Sequence, residues 1–106
     1  MDLVEQQESL HEWRLHNFPE AEALQQLLGV VEELGELAKV LLKRAQAIRP
    51  NLTSEDHEKD AIGDLMIYLM GYCSYREWSL MDIVNDTAYG VKQRNWRKYP
   101  VNGLTK

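Results

Sequence analysis

Apolar and polar positions alternate along this chain with a helical period almost throughout. In the first segment Leu3, Leu10 and Trp13 fall on one side, with Glu5, Gln6, Gln7, Glu8 and Arg14 on the other, which predicts a helix over about 2–16. Asn17 and Pro19 mark its end, and Pro19 suits the first turn of the next helix, where its missing N–H costs little. The second pattern is the longest, about 20–48, and carries Leu27, Leu28, Val30, Val31, Leu34, Leu37, Val40, Leu41 and Leu42. A helix of that length spans about 40 Å. Arg49-Pro50-Asn51-Leu52 breaks it. A third helix, about 54–76, opens on Ser54 as N-cap and is apolar on most sides from Ile62 onward. Ser79 and Asp82 make a weak capping box for a fourth, about 80–98. Residues 99–106, with Pro100, Asn102 and Gly103, read as a disordered or partner-bound tail. No strand pattern appears, so the expectation is one all-α domain over 1–106, a four-helix bundle.

Composition narrows the class of protein. A chain of 106 residues, 44% hydrophobic, is long enough for a single core. Its formal net charge of −5 argues against a nucleic-acid polymer as partner, because a phosphate-backbone binder shows a basic face. The single cysteine, Cys73, excludes an intrachain disulfide and a Cys-rich zinc site, and reads as a small core residue. No apolar run reaches membrane-spanning length, and the polar N-terminus is unlike a signal peptide, so no membrane and a cytoplasmic location are expected. A third helix apolar on most sides in so small a chain points to a homodimer or homotetramer.

The long second helix carries the chemistry. Glu32-Glu33-Leu34-Gly35-Glu36 sits among its leucines and valines, with Glu33 and Glu36 on one face. Carboxylates in apolar surroundings must be paired, hydrogen-bonded, metal-bound or solvated. The third helix carries Asp60-Ala61-Ile62-Gly63-Asp64, so each helix has a glycine just before its last acid. The match suggests two closely packed helices pointing acids into one space. Gly29 and Gly35 lie about 120° apart around the helix, so each needs its own account: close approach of another backbone, or a bend at Gly29. Converging carboxylates make a hard, oxygen-rich site suited to Mg²⁺, with Mn²⁺ as the alternative ion. The competing reading pairs these acids with Lys39, Lys43 or Arg44, or leaves them solvated.

The pattern Glu32-Glu33-x-x-Glu36, followed by Gly63-Asp64 in an apolar helix and by Asn95-x-x-Lys98-Tyr99-Pro100, resembles the MazG family. These are all-α nucleoside triphosphate pyrophosphohydrolases related to the dimeric dUTPases, and the resemblance spans roughly 13–100. It implies cleavage between the α- and β-phosphates to give a monophosphate and pyrophosphate. By that resemblance Glu33, Glu36 and Asp64 are Mg²⁺ ligands, and Glu32 is a ligand or orients the attacking water. Asn95 and Lys98 become nucleotide contacts. The family's second helix carries ExxD, and here the first acid is replaced by Ala61. Three outcomes follow: a site rebuilt with Asp60, a weakened site, or a catalytically silent nucleotide-binding or regulatory module. Asp60, four residues before Asp64, can share its helix face, which favours the first. His57 lies near that face and could assist. Trp13, His16 and Phe18 could stack on a base, although core packing is the simpler role for Trp13 and Phe18; Tyr68, Tyr72 and Tyr75 read as core or interface, and His11 as surface.

Overall fold

The computed structural model describes residues 1–105; Lys106 lies outside the described residues. Four α-helices, α1 Leu3–Asn17, α2 Ala23–Ala45, α3 Glu55–Tyr75 and α4 Leu80–Lys92, follow in order, with one 3₁₀ turn at Pro50–Leu52, and there is no strand among the described residues. The all-helical expectation holds.

Local chemistry sets the helix ends. Asp2 caps α1 by accepting the Glu5 N–H at 2.9 Å. Pro19 sits in the turn before α2 and not within its first turn, because the Gln25 side chain caps the helix at Glu22, accepting its N–H at 3.0 Å. The same α2 stops at Ala45, short of the expected 48, because Ala47 and Arg49 turn left-handed (φ 56 and 50). Ser54 caps α3 by accepting the His57 N–H at 3.2 Å, and Ser79 caps α4 by accepting that of Asp82 at 3.3 Å. The expected extension of α4 to residue 98 is not formed. Beyond Lys92 the chain folds back: the Asn95 N–H donates to the Gly103 carbonyl at 2.7 Å, and the Gly103 N–H donates to that of Tyr99 at 2.8 Å. Arg94 donates to the Asn102 carbonyl, and Gly103 supplies the positive φ of 76 the turn requires. The described residues of the tail expected as disordered or partner-bound, 99–105, thus fold back in hydrogen-bonded turns.

The two long helices form an antiparallel hairpin, the most extensive contact in the molecule. The order of meeting residues defines it: Gln26 beside Gly71, Gly29 beside Tyr68, Glu33 beside Asp64, Arg44 beside Glu58. Gly29 is there because the Tyr68 ring lies on it: a Cβ would fall 2.3 Å from Tyr68 Cδ1. The offset is therefore a side-chain ring and not a second backbone. Gly35 and Gly63, by contrast, face open space with nothing within 4 Å, so the paired glycines do not mark close helix packing.

A small core of Met70, Cys73 and Leu80, with Leu10, Met66 and Leu69 around it, joins α1, α3 and α4. The inner face of α1 differs from the apolar pattern. Leu3 and Trp13 are exposed, while Gln7 and Arg14 are buried at 8% and 4% exposure. Gln7 is inward because its carboxamide is fully used: Nε2 donates to Ser74 Oγ at 3.1 Å and the Trp78 carbonyl at 2.8 Å, and Oε1 accepts the Leu80 N–H at 3.0 Å. Those bonds tie α1 to the corner between α3 and α4, each contributing about 1 kcal/mol.

The chain is open. Its radius of gyration is 17.7 Å, against about 13 Å for a compact domain of this length. On α2 the side away from α3 is bare: Leu24, Leu28, Val31 and Leu42 are exposed and fall within about 60° of one another around the helix. No described helix is long and apolar enough to cross a membrane.

Candidate functional site

The hairpin register places Glu33 of α2 opposite Asp64 of α3. One turn further along α2 comes Glu36, and one turn back along α3 comes Asp60; all four carboxylates line a hollow of about 190 Å³. Ala61, buried at 5% exposure, also lines this hollow, so a methyl group stands where the family pattern has a carboxylate. Asp60 is exposed and His57 lines the same wall, with His57 Nδ1 2.6 Å from Ser54 Oγ in the α3 cap. Burial, and then the charges of Asp64, Glu32 and Glu36, push the Glu33 carboxyl above the usual carboxylate range. That convergence of charge links the two acidic motifs.

Glu33 and Asp64 also line a second, much larger cleft of about 1140 Å³. Its walls come from α1 and the turn after it, with Trp13, Phe18 and Pro19, and from Gln26 and Tyr68 of the hairpin. Trp13 and Phe18 meet edge to face at 5.8 Å between ring centroids, and both are more than half exposed, so the expected core role gives way to one on the cleft wall. His16 is exposed and lines neither cavity. Tyr68 is half-buried against Gly29 and forms part of the cleft; Tyr72 packs near Trp78 and Tyr75 near His11. His11, expected at the surface, is half-buried, and its Nδ1 has no partner, like Arg14 Nη1 and Tyr75 Oη. Arg14 makes one long bond, from Nη2 to the Ile67 carbonyl at 3.4 Å, and burial lowers its pKa.

Other expected site residues lie elsewhere. Glu32 is exposed and lines neither cavity, although its charge reaches Glu33. Asn95 and Lys98 also line neither: the Asn95 carboxamide accepts the Lys98 N–H at 3.0 Å within the C-terminal turns, and Lys98 Nζ lies over the Tyr99 ring at 5.3 Å. Of the competing reading, the pairing of these acids with lysine or arginine is not found, since among the described residues the one ion pair is Arg44 with Glu58, at 2.8 Å. Its solvated arm fits Glu32, Glu36, Asp60 and Asp64, which are exposed, and Glu33 less, which is half-buried. Lys39 and Lys43 line the acidic hollow without pairing, a role sequence reasoning missed. Their spacing of three and seven from Glu36 was the available signal.

The donor set of Glu33, Glu36, Asp60 and Asp64 is all oxygen and suits a hard divalent ion such as Mg²⁺. Among the described residues no three His, Cys, Asp or Glu side chains are gathered closely enough to hold one as they stand. The acids therefore share a lined hollow and not a closed ligand cluster. Comparison with models of protein families, with curated proteins and with solved structures finds no match for this chain.

Proposed function

We propose that this chain is a MazG-like nucleoside triphosphate pyrophosphohydrolase that requires Mg²⁺ and cleaves between the α- and β-phosphates. One observation carries the reading: Glu33 and Asp64 form the seam between an acidic hollow and an aromatic-walled cleft. That arrangement suits a ligand with a planar, partly apolar end and a polyanionic end, the two halves of a nucleotide. Glu33, Glu36, Asp60 and Asp64 would hold the ion, which when bound neutralises phosphate charge and lowers the pKa of water. The protein's own part is to aim the carboxylates across the seam and to seat the nucleoside against Trp13, Phe18 and Tyr68.

A homodimer or dimer of dimers goes with this reading, because the bare apolar face of α2 needs a cover and the chain is too open for its length. A cytoplasmic setting goes with it as well. A second reading, a catalytically silent nucleotide-binding or regulatory module, is favoured by the buried methyl of Ala61 in the hollow.

The deciding assay follows pyrophosphate release from a panel of nucleoside triphosphates with Mg²⁺. Release is expected for at least one base, and Asp60→Ala is expected to lower it by about 10- to 100-fold, the range for a group that supports a metal site. Equal and vigorous rates for both proteins would remove Asp60 from the site. Saturable nucleotide binding with no release would establish the silent module.

A further inference from the structure

The acidic hollow is not uniformly acidic. Moving along α2 away from the seam, Lys39 and Lys43 follow Glu33 and Glu36 on its wall. The rise per residue sets Lys39 about 9 Å and Lys43 about 15 Å beyond Glu33 along the axis. Neither ammonium is within ion-pair distance of a carboxylate among the described residues, and the one hydrogen bond either donates there runs from Lys43 Nζ to Gln46 Oε1, at 3.2 Å. The large cleft on the other side of the seam has no lysine; its one cation, Arg14, is buried. The two cavities also differ in size. At about 190 Å³ the hollow is much the smaller, against about 1140 Å³ for the aromatic-walled cleft.

We infer that Lys39 and Lys43 seat the leaving diphosphate, so that a nucleoside triphosphate crosses the Glu33–Asp64 seam with its nucleoside in the aromatic cleft and its β- and γ-phosphates on the lysine side. This rests on the pyrophosphohydrolase reading. In the reaction the oxygen of water bonds to the α-phosphorus, and the bond from that phosphorus to the α–β bridging oxygen breaks. The bridging oxygen keeps the electron pair and departs on pyrophosphate, while the proton lost by water passes to solvent. Negative charge thus builds on the side where the free ammonium groups lie, the place where fixed cations favour the transition state most. Direction of binding and choice of the α–β bond have one cause: acids at the seam and lysines beyond it.

The test is calorimetric titration of inorganic pyrophosphate, and separately of the nucleoside monophosphate product, into the full chain with Mg²⁺. Lys39→Gln/Lys43→Gln is expected to weaken pyrophosphate binding by about 10-fold or more, the loss of about 1.4 kcal/mol or more of charge-assisted contact. Monophosphate affinity should stay within about twofold. Phe18→Ala should do the reverse. Exposed Lys39 can be changed alone if the double variant melts early, and the single change should still weaken pyrophosphate selectively. A wild-type chain that releases pyrophosphate from nucleotides, beside lysine variants that keep pyrophosphate affinity or lose monophosphate affinity instead, overturns the orientation alone. A wild-type chain that neither releases nor binds pyrophosphate overturns the pyrophosphohydrolase reading and the orientation with it.

Discussion

Glu33→Gln is expected to lower pyrophosphate release by on the order of 10³-fold while making the metal-free chain more stable at neutral pH. The first effect follows from its place. Glu33 is on the seam, faces Asp64, and is the acid common to both cavities on α2. Losing a carboxylate that holds the ion against the substrate removes several kcal/mol of transition-state stabilisation, and each factor of ten corresponds to about 1.4 kcal/mol. The second effect follows from electrostatics. Burial and then Asp64, Glu32 and Glu36 raise the Glu33 pKa in the folded chain, so the fold favours its protonated form. Protonated Glu33 contributes stability below the ordinary carboxylate pKa, and this is lost as pH rises through the raised folded value. At neutral pH the ionised group opposes folding, and glutamine removes the opposition. On the proposed Mg²⁺ site, added Mg²⁺ is expected to reverse the ranking, because an ion that binds the native wild type more tightly than the native variant stabilises it more. Steady-state assays, with melting curves in chelator and in Mg²⁺ from about pH 4 to pH 8, check both halves. Unchanged turnover would remove Glu33 from the chemistry. A lower melting temperature in chelator at neutral pH would contradict the electrostatic account.

Gly29→Ala is expected to be the most damaging single methyl addition in the hairpin. The new Cβ would lie 2.3 to 2.5 Å from three ring carbons of Tyr68, Cγ among them, and the base of a ring cannot swing clear as the far end of a flexible side chain can. Overpacking of this kind costs about 1–3 kcal/mol, set against up to about 1 kcal/mol of helix propensity gained. At Gly35 and Gly63 the same change meets nothing within 4 Å, so propensity alone acts and the chain should gain up to about 1 kcal/mol. Urea unfolding of the three variants gives the comparison. Opposite signs are expected for position 29 and the other two, and equal effects at all three would refute the ring contact. Tyr68 also lines the large cleft, so Gly29→Ala should raise KM for the nucleotide in what remains folded.

The contrast among these glycines shows what a sequence can and cannot disclose. Helical period, the caps at Ser54 and Ser79 and the break at Pro50 are local, and the helices they announce are all present. The acids of α2 and α3 do line one hollow, but the sequence feature that suggested it, a glycine before the last acid of each helix, is not what brings them together; the antiparallel register of the hairpin is. The repeated glycine before each acid carried no packing information, since Gly35 and Gly63 are in the open while the close contacts of the hairpin belong to Gly29 and Gly71. Gln7 was read as outward by polarity, yet its partners Ser74, Trp78 and Leu80 are about seventy residues away and leave no trace near it. The early end of α4 has the same origin, a backbone bond from Asn95 to Gly103 that no window on the helix reveals. The cavity with room for a ligand depends on α1, whose burial pattern was the least legible of all.

Every carboxylate of the hollow comes from a single helical hairpin closed by the connection 46–54, and Arg44 fastens that connection by donating to the Thr53 carbonyl at 2.9 and 3.1 Å and to Glu58 at 2.8 Å. Such a unit has low contact order and closes before distant parts of a chain can dock. Its like charges therefore meet at the first step of folding and not at the last. Repulsion that costs a little at equilibrium becomes a barrier in time, and screening on the scale of about 10 Å at 0.1 M salt lowers it. Stopped-flow refolding followed through the three tryptophans should accelerate with added monovalent salt, and Arg44→Ala should slow it by loosening the clasp that holds the opposed acids in register.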